Sequence, residues 1–93
     1  SIAPKTPNKA TTANEPFPNY EVPVPKDSPL IGKSIGALKF WQSTGGTIVA
    51  IRRGQTVILS PGPYAELYSG DVIILVGSPS AAEAAHRLVT TKE

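Results

Sequence analysis

Two adjacent arginines, Arg52 and Arg53, close the β-branched run Thr47-Ile48-Val49-Ala50-Ile51 and stand immediately before Gly54. Like charges side by side repel, and neither can be buried without a partner. They read either as solvated cations guarding a strand end or as ligands for an anion. A guanidinium donates in a planar fork that suits phosphate oxygens, and a glycine turn lets a ligand approach the backbone. Successive strand residues face opposite sides, so one pocket takes one of the two.

Other chemistry finds less support. Gly32-Lys33-Ser34 imitates the end of a phosphate-binding loop, but that pattern needs a glycine at position 27, which is Asp27. Lys33 and Ser34 read more simply as a solvated lysine and a helix N-cap. His86 is the single histidine and there is no cysteine, which excludes a disulfide framework and the usual zinc sites. His86 falls off the apolar stripe of its helix, so no Ser-His-Asp arrangement can be argued. Glu66, Asp71 and Glu83 lack metal-ligand spacing, and Asp71 after Gly70 reads as a turn residue. The expectation is a chain with no enzymatic activity and no bound cofactor.

The elements that position these residues follow from periodicity. Tyr20–Pro25 alternates apolar with other residues around two prolines, which suits an edge strand. Leu30, Ile31, Ile35, Leu38 and Trp41 recur at three- and four-residue spacing. That predicts a short helix with Ser34 as N-cap, Gly45 or Gly46 as its stop, Trp41 in the core and Phe40 on the flank. Gly36 weakens such a helix, so its place there suggests close backbone packing. Thr47–Arg53 and Thr56–Ser60 form a hairpin about Gly54-Gln55. Val72–Val76 is a third apolar strand, and Ser78-Pro79 starts a C-terminal helix with Ala81, Ala84, Ala85 and Leu88 inward.

The 93 residues amount to at most one domain. Residues 1–19 hold four prolines and only Ile2 and Phe17 as large apolar side chains, which predicts a flexible linker or tail. Charges balance over residues 1–29, and the net +2 arises in residues 30–93. A surplus of two is too small for general nucleic-acid binding, so no nucleic-acid partner is expected. No apolar run approaches the roughly 20 residues of a membrane span, and residues 1–19 lack the apolar core with a charged flank of a signal peptide, so they are not expected to be one. Uninterrupted apolar character in Val72–Val76 implies that both sheet faces are covered. A core this small reaches that most economically by pairing with a second copy.

Four segments together resemble a known family: Ser28-Pro29-Leu30-Ile31-Gly32-Lys33-Ser34-Ile35-Gly36-Ala37-Leu38, Gly46–Arg53, Ile58-Leu59-Ser60-Pro61-Gly62-Pro63, and Leu67 followed by Gly70–Gly77. In this order they resemble the C-terminal domain of regulators of potassium conductance, called RCK-C or TrkA-C, over about residues 20–90, with residues 20–93 as the domain. The resemblance implies an α+β fold, a small mainly antiparallel sheet of about four strands with two short helices, forming a homodimer. It also implies a cytoplasmic regulatory domain at the inner face of the membrane, fused to or associated with a potassium channel, a potassium/proton antiporter or a related cation transporter. In part of the family the dimer cleft binds cyclic di-AMP. Carried onto this chain, that site is Ile48, Val49 and Arg53, with Arg52 beside it and the Ser60-Pro61 loop at its border. A purely structural dimerisation module without ligand is the competing implication. The Gly-rich nucleotide-binding lobe that often accompanies this domain is absent from the sequence, which suits a fragment of a longer chain or a stand-alone subunit.

Overall fold

The computed structural model describes residues 18–91; the expected linker lies outside them, apart from Pro18 and Asn19. In chain order come β1 (Asn19–Pro23), α1 (Ile35–Leu38), α2 (Phe40–Thr44), β2 (Thr47–Arg53), β3 (Thr56–Leu59), β4 (Val72–Val76) and α3 (Pro79–Thr90). The sheet runs β1-β4-β2-β3, and every neighbouring pair is antiparallel. The expected α+β fold with its four-stranded sheet is therefore present, and the proline-bearing first strand lies at an edge, where a missing N–H does least harm. The last strand, β4, enters the middle and joins β1 to the β2–β3 hairpin.

The first expected helix is split. Lys39 takes a left-handed conformation (φ 48°, ψ 54°), ending α1 and starting α2. Ser34 caps α1 as expected, its hydroxyl accepting from the Ala37 N–H, and Gly45 ends α2 at φ 79°. The break overturns one assignment. A continuous helix would put Trp41 in line with Leu38, but re-phasing at Lys39 sends Phe40 into the core and leaves Trp41 54 % exposed. The second expected helix is α3, which begins at Pro79 with Ser78 as its cap. Its buried row is Ala81, Ala82, Ala85 and Val89, while Ala84 and Leu88 are half-buried and His86 is exposed. The stripe follows the i, i+4, i+8 row rather than the mixed spacing expected.

Core residues Val22, Ile51, Ile73 and Leu75 lie on one sheet face beneath α3, with Phe40, Leu30 and Leu67 closing the ends. Alternation reappears inside the apolar strand: Ile73 and Leu75 are fully buried, whereas Val72, Ile74 and Val76 are half-buried. The expectation that both faces are covered thus fails within one copy of the chain. Its helices reach one face only, and the other carries an apolar row flanked by charge.

Two glycines are set by packing. A Cβ on Gly46 would stand 2.5 Å from Leu75 Cδ1, and one on Gly36 would stand 3.0 Å from the Pro63 carbonyl oxygen. The second contact accompanies a hydrogen bond from the Gly36 N–H to that same oxygen, the close approach anticipated for Gly36.

The arginine at the end of β2 is a fold residue. Arg53 Nε and Nη2 donate to both oxygens of Asp71, each at 2.8 Å, and Nη2 also donates to the Glu66 carbonyl at 3.0 Å. Its guanidinium lies 4.1 Å from the centre of the Tyr68 ring. Asp71 has no solvent exposure, and it also accepts the Tyr68 N–H at 2.8 Å. Burial alone would raise its carboxyl, but the Arg53 and Tyr68 hydrogen bonds outweigh that and hold it below its ordinary value. Reading Arg53 as a solvated residue and Asp71 as a simple turn residue is therefore corrected.

Three outcomes follow. Arg53→Ala strands a buried carboxylate and should cost roughly 2–3 kcal/mol in urea unfolding, below the fully buried range because a third of the arginine stays in water. Because the folded Asp71 carboxyl is depressed, its stabilisation is complete above its unfolded pKa and is lost as pH falls through the folded value. Asp71→Asn should accordingly flatten the stability profile below about pH 4, the usual range for an unfolded aspartate; an unchanged acid slope would refute this. Gly46→Ala should lose about 1–3 kcal/mol by overpacking against Leu75, whereas Gly62→Ala, with nothing within 4 Å of its Cβ, should leave unfolding unchanged.

Candidate functional site

The six candidate residues separate into two groups along β2. Ile48, Val49, Ser60 and Pro61 meet at the end where β2 begins and β3 finishes. Arg52 and Arg53 occupy the other end, three and four residue steps from Val49, roughly 10 and 13 Å.

The first group is built by an irregularity. The β2–β4 register shifts between Ile48 and Ala50, so Val49 is the extra residue of a bulge. A bulge bends its strand and re-aims side chains. Ile48 stays on the core side, opposite Leu75, and is half-buried against the core. Val49 is 37 % exposed, and its carbonyl accepts the Ser60 N–H at 2.8 Å. Ser60 holds a left-handed backbone (φ 47°) that turns the chain out of β3 into Pro61. A non-glycine residue in that region is uncommon and marks an imposed conformation. Val49, Ser60 and Pro61 thus stand together as a shelf where β2 begins and β3 finishes, joined by the Ser60–Val49 hydrogen bond.

Beside this shelf lies an open groove of about 390 Å³ between the α1–α2 break and the start of β2. Ile48 lines it together with Lys39, Phe40, Trp41 and Thr47. Sequence periodicity missed Trp41 here because it assumed an unbroken helix. Lysine gives no hint that it will adopt the left-handed turn.

The second group faces two ways, as strand alternation requires. Arg53 turns to Asp71, as described. Arg52 reaches across β4 on the uncovered sheet face to Glu21 of β1, with nitrogen–oxygen distances of 2.8 and 3.3 Å. Hydrogen bonding and charge from Arg52 hold the Glu21 carboxyl below its usual range, and Glu21 raises Arg52 in return. Both side chains are well exposed, 42 % and 57 %, so water screens the pair and its contribution to stability is small. Of the two arginines, Arg52 is the one whose partner is solvent-exposed. Val57 and Leu59 of the edge strand β3 are also exposed, extending the apolar row beside it.

Among the described residues, no group of His, Asp or Glu side chains is arranged to hold a metal ion. No helix among them is long and apolar enough to cross a membrane.

Comparison with known proteins bears on this arrangement. The TrkA-C domain family matches residues 19–90. The RCK_C domain dimer of S. agalactiae BusR in complex with c-di-AMP is 40 % identical, with a TM-score of 0.75 over 81 % of this chain and 93 % of that one. S. agalactiae BusR in complex with its busAB-promotor DNA is 39 % identical at a TM-score of 0.76, covering 86 % of this chain but 39 % of that one. The RCK C domain of the potassium transport protein KtrA, in complex with c-di-AMP, is 28 % identical at a TM-score of 0.68, over 76 % and 81 % of the two chains. The ammonium/H(+) antiporter subunit AmhM of Alkalihalophilus pseudofirmus is 29 % identical over 72 residues, 77 % of this chain. The chain spans 43 % of the length of that relative. The match runs through the whole sheet, the split helix and α3, so the resemblance carried by the four sequence segments holds, and this chain belongs to the TrkA-C (RCK_C) domain family.

Proposed function

We propose that this domain is a non-catalytic sensor that binds cyclic di-AMP across two copies of the chain and passes the signal to a cation transport system. The observation that carries this reading is the shelf of Val49, Ser60 and Pro61 beside Ile48, in a domain 40 % identical to an RCK_C dimer in complex with c-di-AMP. An apolar shelf suits the flat bases, and exposed Arg52 offers a guanidinium to phosphate once Glu21 is displaced. The likeness to KtrA and AmhM supports a potassium channel, an antiporter or a related transporter as the partner, with the domain on the cytoplasmic side. The BusR likeness raises DNA as a partner of a longer chain. The small charge surplus of this domain argues that such contacts are made elsewhere.

The mechanism is a population shift. A ligand that contacts two copies favours one relative orientation, and it can move the equilibrium only by its differential affinity for the two. A half-covered sheet in a small core supports the pairing. The competing reading, a dimerisation module without ligand, draws on that same open face but gives the shelf no role.

Calorimetric titration with cyclic di-AMP should show saturable binding at one ligand per two chains. Absence of heat and of thermal shift at high micromolar ligand would leave the structural module as the better account. The 93-residue chain should scatter light as a species of about 20 kDa, twice its 9.8 kDa; a clean monomer at high concentration would remove the shared cleft. Arg52→Ala should weaken binding by about tenfold, the scale of one charge-assisted hydrogen bond, with unfolding nearly unchanged. If Arg53→Ala alone weakens binding in protein that remains folded, the phosphate contact belongs to Arg53.

A further inference from the structure

Glu21 and Arg52 are not on neighbouring strands. Glu21 stands opposite Ile74 of β4, and Arg52 stands opposite Val72 of the same strand. The pair therefore bridges two strand spacings, roughly 10 Å, a gap that takes two long side chains to close. Both terminal nitrogens of Arg52 are engaged, Nη2 at 2.8 Å and Nη1 at 3.3 Å, one on each carboxylate oxygen. A guanidinium receives a phosphate in the same two-pronged way. Glu21 and Arg52 are the charged residues that the four strands place on this face, since Arg53 turns to the other. Val57 and Leu59 of β3, opposite Arg52 and Ala50, are exposed beside the fork. A carboxylate thus sits on the donors that an incoming anion needs, in a pair that contributes little to stability.

We propose that Glu21 is an intramolecular competitor for the phosphate-binding fork of Arg52, held on its donors in the unliganded domain and displaced when cyclic di-AMP binds. This rests on the ligand reading above and assigns Glu21 the setting of affinity at that site. The displaced carboxylate returns to water, where it is well solvated, so the pair raises the ligand concentration needed without closing the site. Because the pair is exposed, its cost to the ligand is small and measurable rather than prohibitive.

The test is calorimetric titration of the whole chain and its variants with cyclic di-AMP. Glu21→Gln keeps the side-chain length and removes the charge; it should tighten binding by about two- to fivefold, the range of an exposed ion pair. Glu83→Gln, on the exposed side of α3, makes the same change in net charge and should leave affinity at the parent value. Combined with Arg52→Ala, Glu21→Gln should have no effect, because no fork remains to be released. The thermal midpoint of Glu21→Gln should stay near that of the parent. Unchanged or weaker binding by folded Glu21→Gln, beside normal binding by the parent, would overturn the competitor and leave the ligand reading standing. Equal tightening by Glu83→Gln, or tightening that persists without Arg52, would reveal a diffuse charge effect and overturn it as well. Absence of binding by the parent chain would overturn both.

Discussion

A carboxylate with no access to water organises this domain. Asp71 cannot stay charged in the interior unless its oxygens are fully engaged, and Arg53 and the Tyr68 N–H engage them. The same residue joins β1 through its backbone, its carbonyl accepting the Val24 N–H at 2.8 Å. One ion pair therefore fastens the end of β2, the start of β4, the loop at residues 66–68 and the exit from β1. A one-residue slip of β2 against β4 would separate the charges and turn Arg52 inward, so the pair specifies register as well as contributing stability.

Fixing Arg53 in this way decides what its neighbour can do. Strand alternation puts Arg52 on the opposite face, above the apolar row of Val72 and Ile74, where its partner Glu21 is solvent-exposed. Adjacent arginines thus divide into one paired with a buried carboxylate and one paired with an exposed one. The sheet is asymmetric in the same sense. Helix α3 and the split helix cover one face, and the other keeps half-buried aliphatic side chains that a single copy does not cover.

Local irregularities shape the remainder. A bulge at Val49, a left-handed Ser60 and a left-handed Lys39 all fall at the end of the sheet away from the ion pair. Regular strands and an unbroken helix there would have buried Trp41 and flattened the shelf. Departures from regular geometry thus gather at one end of the sheet, while the opposite end is held by a buried charge pair.

Much of this was legible in the chain. Val-, Ile- and Thr-rich runs, the Gly54-Gln55 turn, the Ser34 and Ser78 caps and the glycine stop at Gly45 are local signals, and each element formed where its signal stood. Four segments in order were enough to indicate the family. What sequence alone did not reveal depends on which strands become neighbours. Asp71 looked like a turn residue because its partner lies 18 positions away, and the two meet only because β4 pairs antiparallel with β2, setting Val72 opposite Arg52. The helix break at Lys39 carries no glycine or proline to announce it; packing of Phe40 into the core imposes it, exposing Trp41. Local propensity chose the elements, whereas burial and charge compensation between distant segments chose their register and the residues left facing outward.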